Sequence, residues 1–195
     1  MEHVSDVEPL RNIFQDIQCD ELRLHANSWP IEPSEQISRE ENIRQFLPMV
    51  QGVKKLTLTN SVIDEAINVE ELTINGEWVT PEHLKTWDFN SATICQSLFT
   101  TEDFVKFINS WKEGRIPSMK NIEIFHQHVY WLSGKTFDHE KIAEMIGAKL
   151  VERKWNEVTY NVKRYNGTIG HLTIGKSVKL EICDLTKCNR SHISP

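Results

Sequence analysis

A short pattern of apolar and polar positions recurs along the chain and predicts strands. In its strict form it consists of one apolar residue, two polar residues, and then an apolar, a polar and an apolar residue. Six segments that fit it are residues 19–24, 53–58, 69–74, 84–89, 119–124 and 169–174. With 39% hydrophobic residues, chance predicts about two or three matches, so the excess indicates a repeated structural unit.

The last three positions of the pattern alternate as in a half-buried strand, with the outer two directed inward and the middle one outward. Successive matches are 15–16 or 34–35 residues apart over the first five segments. Strands repeated in this way stack into a curved sheet that resembles leucine-rich repeats. We therefore predict an α/β fold with a degenerate leucine-rich-repeat-like curved sheet and flanking helices. A mixed sheet without a true solenoid is the alternative.

Helix start signals lie between these strand candidates. A capping-box sequence begins at Ser38 and precedes an apolar stripe. Thr80 followed by Pro81 resembles an N-cap followed by proline at the first helical position. A stronger helix starts at Thr100 or Thr101 and presents an apolar face made of Phe104, Phe107, Ile108 and Trp111.

Two further features organise the second half of the chain. A helix over about residues 138–147, with its start capped and charged by Asp138, is expected to bury Ile142, Met145 and Ile146. Segments 157–165 and 168–174 flank Asn166-Gly167, a two-residue hairpin signal, and segment 176–183 is a third strand candidate. We divide the chain into a leucine-rich-repeat-like part at 1–97 and a part with the C-terminal antiparallel hairpin at 98–195, within one continuous domain.

Two stretches of this second part carry a resemblance to a known family. Residues 98–124 combine a helix that ends in a tryptophan with a nearby glycine and a strand, and residues 160–168 combine a tyrosine-led strand with a turn. The matching positions are Trp111, Gly114, Pro117, Ile122, Tyr160, Arg164, Gly167 and Thr168. Together they resemble the F-box-associated domain, type 2, of the large nematode F-box protein family.

The resemblance implies a protein-interaction role. Members of that family usually carry an N-terminal F-box that docks on a Skp-type adaptor of a cullin–RING ubiquitin ligase, while the associated domain recruits a protein partner. Residues 1–50 show no F-box pattern, which leaves docking to the adaptor an open alternative. The resemblance therefore implies the substrate-recognition part alone, with a protein partner or ubiquitination substrate.

Composition narrows the functional class further. The net charge of −6 argues against a general nucleic-acid binder. No apolar run approaches the roughly 18 residues of a membrane span, and the N-terminus lacks the features of a signal peptide. Four cysteines without a dense framework favour a reducing compartment, so we expect an intracellular protein of the cytoplasm or nucleus.

Few residues suggest a catalytic or metal-binding site. No phosphate-binding glycine loop and no nucleophile elbow is present, so we expect no enzyme activity and no cofactor. Cys183, Cys188 and His192 have a spacing that could hold zinc with His171, but a strand end followed by a tail is the alternative that we prefer. His126 and His128 lie two residues apart, and we read them as exposed polar positions beside a strand end.

The outward strand positions are our candidate partner-binding residues, because a rigid sheet displays them together. They are Arg23, Lys55, Thr57, Thr59, Glu71, Thr73, Asn75, Asp88 and Glu123. Trp78 is added as an aromatic that either packs in the core or contacts the partner. Three alternatives stay open: a competitor of full-length relatives, a structural or truncated relative without its own recognition role, and a zinc-binding module.

Overall fold

The structure is a computed structural model that describes residues 20–25, 53–59, 63, 66–126 and 138–183. Its strands are β1 (Glu21–His25), β2 (Lys55–Thr59), β3 (Asn68–Asn75), β4 (Asp88–Ser97), β5 (Asn121–His126), β6 (Lys149–Arg153), β7 (Val158–Lys163), β8 (Ile169–Ile174) and β9 (Ser177–Ile182). Its helices within these ranges are α1 (Pro81–Thr86), α2 (Thr101–Lys112) and α3 (His139–Ile146).

All nine of these strands form a single mixed sheet in the order β1-β2-β3-β4-β5-β9-β8-β7-β6. The first five are parallel and lie side by side in chain order. The last four are antiparallel to their neighbours, and β9 joins them to β5. The prediction of an α/β fold is confirmed, and segments from 1–97 and 98–195 both contribute strands to the sheet.

One face of the sheet carries two apolar rows that run from strand to strand. Register pairing aligns the first row as Leu22, Leu56, Leu72, Ala92, Ile122, Leu180, Leu172 and Tyr160. It aligns the second row as Leu24, Leu58, Ile74, Ile94, Ile124, Val178, Ile174 and Val158. These rows and the buried sides of α1, α2 and α3 belong to one hydrophobic cluster, so the core lies between this face and the helices.

The position predicted for the fourth copy of the repeat is wrong. Residues 84–89 begin inside α1, and the strand residues that align with the two apolar rows are Ala92 and Ile94. Phe89 pairs with Val69, so the copy that the fold uses is 89–94, which has the same pattern of apolar and polar positions. The intervals between the parallel copies are therefore 34, 16, 20 and 30 residues, counted from positions 19, 53, 69, 89 and 119.

The helix starts agree with the predictions at both threonine caps. Thr80 is the N-cap of α1 and Pro81 is its first residue. Thr100 is the N-cap of α2, where its side chain accepts a hydrogen bond from the Asp103 backbone N–H. The Asp103 side chain accepts a bond from the Thr100 backbone N–H in return, which completes a capping box.

The apolar face of α2 is buried as expected, whereas α3 differs at one position. Ile142 and Ile146 are buried, but Met145 is 49% exposed, and Ala143 takes the third buried place. In a helix of eight residues the buried stripe is narrow, and Met145 falls outside it. Asp138 caps the helix as predicted, since its carboxylate accepts a hydrogen bond from the Lys141 backbone N–H.

The C-terminal hairpin forms between β7 and β8, and β9 adds the third antiparallel strand. The loop is longer than the predicted two residues, because the Arg164 N–H donates to the Thr168 carbonyl and closes a loop of residues 165–167. Gly167 has a φ of +90°, which suits the last position of a three-residue hairpin loop. Strand β6 was not predicted, since all five of its residues are exposed and leave no alternating pattern.

Several predictions fall outside the described residues. They concern the helix that follows Ser38, the side chains of His126 and His128, and the candidate ligands Cys188 and His192. None of the helices that the structure describes has the length and apolar run needed to cross a membrane.

Candidate interaction surface

The face of the sheet opposite the apolar rows carries two polar rows. We call the first the threonine row, and it comprises Arg23, Thr57, Thr73, Thr93, Glu123, Lys179, Thr173 and Thr159. We call the second the charged row, and it comprises Glu21, Lys55, Glu71, Ser91, Asn121, Glu181, His171 and Asn161. Their residues are half-buried or exposed, so this outward face is accessible to a partner.

Three threonines occupy the middle of the parallel half. Thr57, Thr73 and Thr93 are direct register partners on β2, β3 and β4. Neighbouring strands are about 4.8 Å apart, so the hydroxyl and methyl groups form a regular ladder at that spacing. β-Branched side chains have restricted rotamers, which makes this part of the face rigid before a partner arrives.

Ion pairs hold charges on this face, one between two strands and one within β9. Lys55 Nζ lies 2.8 Å from Glu71 Oε2 across β2 and β3, and this hydrogen-bonded carboxylate raises the pKa of Lys55. Lys179 Nζ lies 2.8 Å from Glu181 Oε2, and that hydrogen bond raises the pKa of Lys179. A partner therefore meets paired charges, so net charge contributes little to its attraction, and the arrangement of the charges within each pair is the feature that it can distinguish.

Between these ion pairs, serine hydroxyl groups form hydrogen bonds that link further strands. Ser91 Oγ donates to Asn121 Oδ1 at 2.7 Å, linking β4 to β5. Ser177 Oγ donates to Glu123 Oε1 at 2.6 Å, linking β9 to β5. These bonds orient side chains in the centre of the sheet and offer further donors and acceptors to a docked surface.

The structure brings most of the predicted partner-binding residues to this one face. Arg23, Thr57, Thr73 and Glu123 lie in the threonine row, and Lys55 and Glu71 lie in the charged row. Thr59 and Asn75 are the last residues of β2 and β3. The sequence analysis missed Thr93, whose copy was misplaced, and Lys179, whose strand does not carry the apolar and polar pattern.

Asp88 does not join the other predicted residues. It is exposed at the first position of β4 and pairs with Asn68, at the opposite end of the strands from Thr59 and Asn75. There it lines an open polar cavity of about 320 Å³ with Lys54 and Glu70. The physical reason is the shifted register, because Thr93 and not Asp88 aligns with Thr73.

Trp78 packs within the protein beside the core. Its ring lies edge-on to His83 at 5.2 Å and to Trp87 at 5.8 Å between centroids. It is half-buried and contacts the hydrophobic cluster. Packing is thus the observed role, and a partner contact through its exposed part stays a prediction.

Among the described residues, the side chains that could support chemistry are not grouped together. Burial, followed by the nearby Glu123 carboxylate, raises the pKa of Cys95, so its thiol is protonated and weakly nucleophilic at neutral pH. Within the part of the chain that the structure describes, no three His, Cys, Asp or Glu side chains are grouped to hold a metal ion. Cys183 is half-buried after β9, His171 lies on β8, and the candidate zinc ligands Cys188 and His192 lie outside that part.

An open polar face on a rigid sheet is typical of a protein-interaction domain. Residues 65–124 match the sequence model of the family described as F-box associated. The expected resemblance is confirmed over these residues, which include β3, α1, β4 and α2, whereas the stretch at 160–168 lies outside the match. The family indicates a general protein-interaction role. No curated protein and no solved structure shows significant similarity to the chain.

Proposed function

We propose that the chain is a protein-interaction module that binds its partner on the outward face of the sheet, through the threonine row and the charged row. The observation that carries this proposal is the alignment of Thr57, Thr73 and Thr93 on three neighbouring strands within an uninterrupted polar row. The role resembles that of the substrate-recognition part of F-box proteins in cullin–RING ubiquitin ligases. It requires binding alone, without catalysis or a cofactor, in the cytoplasm or nucleus.

The leucine-rich-repeat-like character of β1–β5 belongs to the same proposal. Five parallel strands in chain order, each contributing two apolar residues to the same two rows, support a short repeat array. The antiparallel strands β6–β9 extend the sheet in the way that a cap extends a solenoid. Such an array presents side chains at fixed spacing, which favours a partner with a similarly regular surface.

An affinity purification with matched variants tests the proposal. The variant Thr57→Arg, Glu71→Lys, Thr73→Arg places bulk and opposite charge on the outward face. The control Thr86→Arg, Glu144→Lys places similar changes on exposed positions of α1 and α3. The proposal expects a partner that is retained by the wild type and the control and is lost from the first variant. Equal retention by all three proteins would contradict it.

The same purification, probed for a Skp-type adaptor, separates two versions of this function. Recovery of the adaptor and a cullin together with the partner would support a ubiquitin-ligase substrate receptor. Recovery of the partner without them would support a free-standing recognition module that competes with F-box relatives for their targets.

A further inference from the structure

Exposed apolar side chains are concentrated at one edge of the sheet. The part of the chain that the structure describes has seven large apolar side chains that are exposed, and four of them lie between residues 145 and 155. They are Met145 near the end of α3, Leu150 and Val151 in β6, and Trp155 in the turn that follows β6. Trp155 is 96% exposed, whereas tryptophan is on average largely buried in folded proteins. The concentration indicates that another surface covers this edge.

Strand β6 offers a free edge to a further strand. It is the last strand in the sheet order and pairs with β7, so the backbone groups on its other side have no strand to bond with among the described residues. All five of its residues are exposed, so this edge is open. A strand that pairs with such an edge satisfies its N–H and C=O groups, which makes the edge a template for another chain.

The two faces of the sheet restrict the register in which a further strand can join. Through its pairing with β7, Leu150 continues the first apolar row, whereas Lys149 continues the charged row. Val151 is an extra residue without a register partner on β7, so this bulge places Val151 and Glu152 opposite Thr159 of the threonine row. An added strand must therefore bring an apolar side chain to Leu150 on the side of the helices. On the outward side it must complement Lys149 and Glu152.

The charges of β6 complement a second copy of the same strand. Lys149 has no ion-pair partner among the described residues. Glu152 lies 3.1 Å from Lys154 Nζ, but this ammonium group has a second carboxylate partner, Glu157, at 3.4 Å. Glu152 can therefore pair with a further cation while Lys154 keeps a partner. A second β6 strand supplies that cation, and its own glutamate supplies the missing partner of Lys149.

We propose that the chain forms a symmetric dimer through β6, in which two copies of this strand pair antiparallel about Leu150. The two Leu150 side chains then face each other on the side of the helices. On the outward side, Lys149 of each copy lies across from the bulge with Glu152 of the other, where cross-strand neighbours are about 4.5–8 Å apart between Cβ atoms, within the reach of a lysine. The antiparallel direction also brings the turn with Trp155 towards the other copy's junction between α3 and β6, next to Met145.

Such a dimer joins two nine-stranded sheets into one continuous sheet of eighteen strands. Its two-fold axis is perpendicular to the sheet, so both outward faces point to the same side. The threonine rows of the two copies then lie end to end across the interface. A partner with two or more copies of its contact surface binds linked faces more tightly than a single one.

Sedimentation equilibrium of the whole chain, from micromolar to millimolar protein, tests this dimer. The wild type should associate to a dimer with rising concentration. Lys149→Glu and Glu152→Lys each place like charges across the interface twice, so each should raise the dissociation constant about tenfold or more. The double variant Lys149→Glu, Glu152→Lys restores opposite charges and should return to within about threefold of the wild type. Lys120→Glu, the same charge change at an exposed position before β5, is the matched control and should leave the dimer unchanged.

A wild type that stays monomeric up to millimolar concentration would overturn the proposal. A dimer that both single variants retain, or a double variant that is as weak as the single ones, would show that residues 149 and 152 do not meet. Leu150→Arg places a charge at the centre of the apolar contact and should abolish the dimer, so a dimer that survives it would place the interface elsewhere. The variants should keep the melting temperature of the monomeric wild type, because the changed positions are exposed. The measurement uses the chain alone, so its failure would leave the proposed recognition on the outward face unaffected.

Discussion

Lys55 and Glu71 face each other across β2 and β3, with 2.8 Å between Nζ and Oε2, next to the threonines that align on the same two strands. The pair fixes two long side chains beside Thr57 and Thr73. It thereby gives the outward face a defined polarity, with the cation on β2 and the anion on β3. That polarity distinguishes this face from a uniformly charged one. Exchanging the two residues would reverse the polarity and keep an ion pair.

Exchanging the two charges should separate binding from stability. The double variant Lys55→Glu, Glu71→Lys keeps an ion pair at the same place, so its melting temperature should stay close to that of the wild type. Its affinity for the partner should fall, because complementary charges on the partner then meet like charges. Melting curves and a titration with the partner measure the two effects. Unchanged affinity would show that the partner does not recognise the charges of this pair.

The apolar rows should dominate stability. Leu72 is 1% exposed in the first row, and truncation by Leu72→Ala should cost about 2–5 kcal/mol of unfolding free energy through lost burial and a residual cavity. Thr73→Ala, one residue away on the exposed side, should cost about 1 kcal/mol or less. Urea unfolding of both variants gives the comparison. Similar losses in the two variants would contradict the assignment of inner and outer faces.

The N-cap of α2 should make a separate contribution. Thr100→Ala removes the side chain that accepts from the Asp103 backbone N–H, and it should cost about 1 kcal/mol. Thr101→Ala, at the first helical position, is the control and should cost less, since alanine is favourable inside a helix. Urea unfolding measures both changes, and a larger loss from Thr101→Ala would place the helix start elsewhere.

Because of Tyr160, the free energy of unfolding should decrease as the pH becomes alkaline. Burial raises the pKa of its phenol, so the folded protein holds this proton more tightly than the unfolded chain, in which tyrosine titrates at about pH 10. The stabilisation is complete below that pH and is lost as the pH rises through the folded-state value.

Tyr160→Phe is the comparison that isolates this effect. It removes the titrating group and the 2.9 Å contact with His139 Nδ1. The stability difference between wild type and variant should shrink as the pH is raised from about 9 to about 11, which unfolding curves across that range can measure. A difference that is independent of pH would contradict the stated role of burial.

The strands that alternate between a buried and an exposed face could be predicted from the sequence. Leu56 and Leu58, or Ile122 and Ile124, show the pattern because one side of each strand faces the core while the other faces water. Strand β6 could not be found in this way, because it lies at the edge of the sheet and none of its residues is buried.

The position of β4 illustrates a different limit of prediction from the sequence. Trp87 and Phe89 are both buried, one after α1 and one in the strand, so they imitate the end of a repeat, although the copy that aligns with the other strands begins at Phe89. The correct copy at 89–94 was present in the sequence, but only strand pairing with Val69 decides between the two. The same shift moves the outward position from Asp88 to Thr93, and it explains why the surface was predicted only in part.

The affinity of a purified partner for two single variants tests the proposed surface most directly. Thr93→Arg changes the threonine row, whereas Asp88→Arg changes an exposed residue of the same strand outside both polar rows. We predict that Thr93→Arg weakens binding about tenfold or more, equivalent to about 1.4 kcal/mol, while Asp88→Arg stays within about twofold of the wild type. Weaker binding by Asp88→Arg alone, or no change in either variant, would contradict an interaction surface on the outward face.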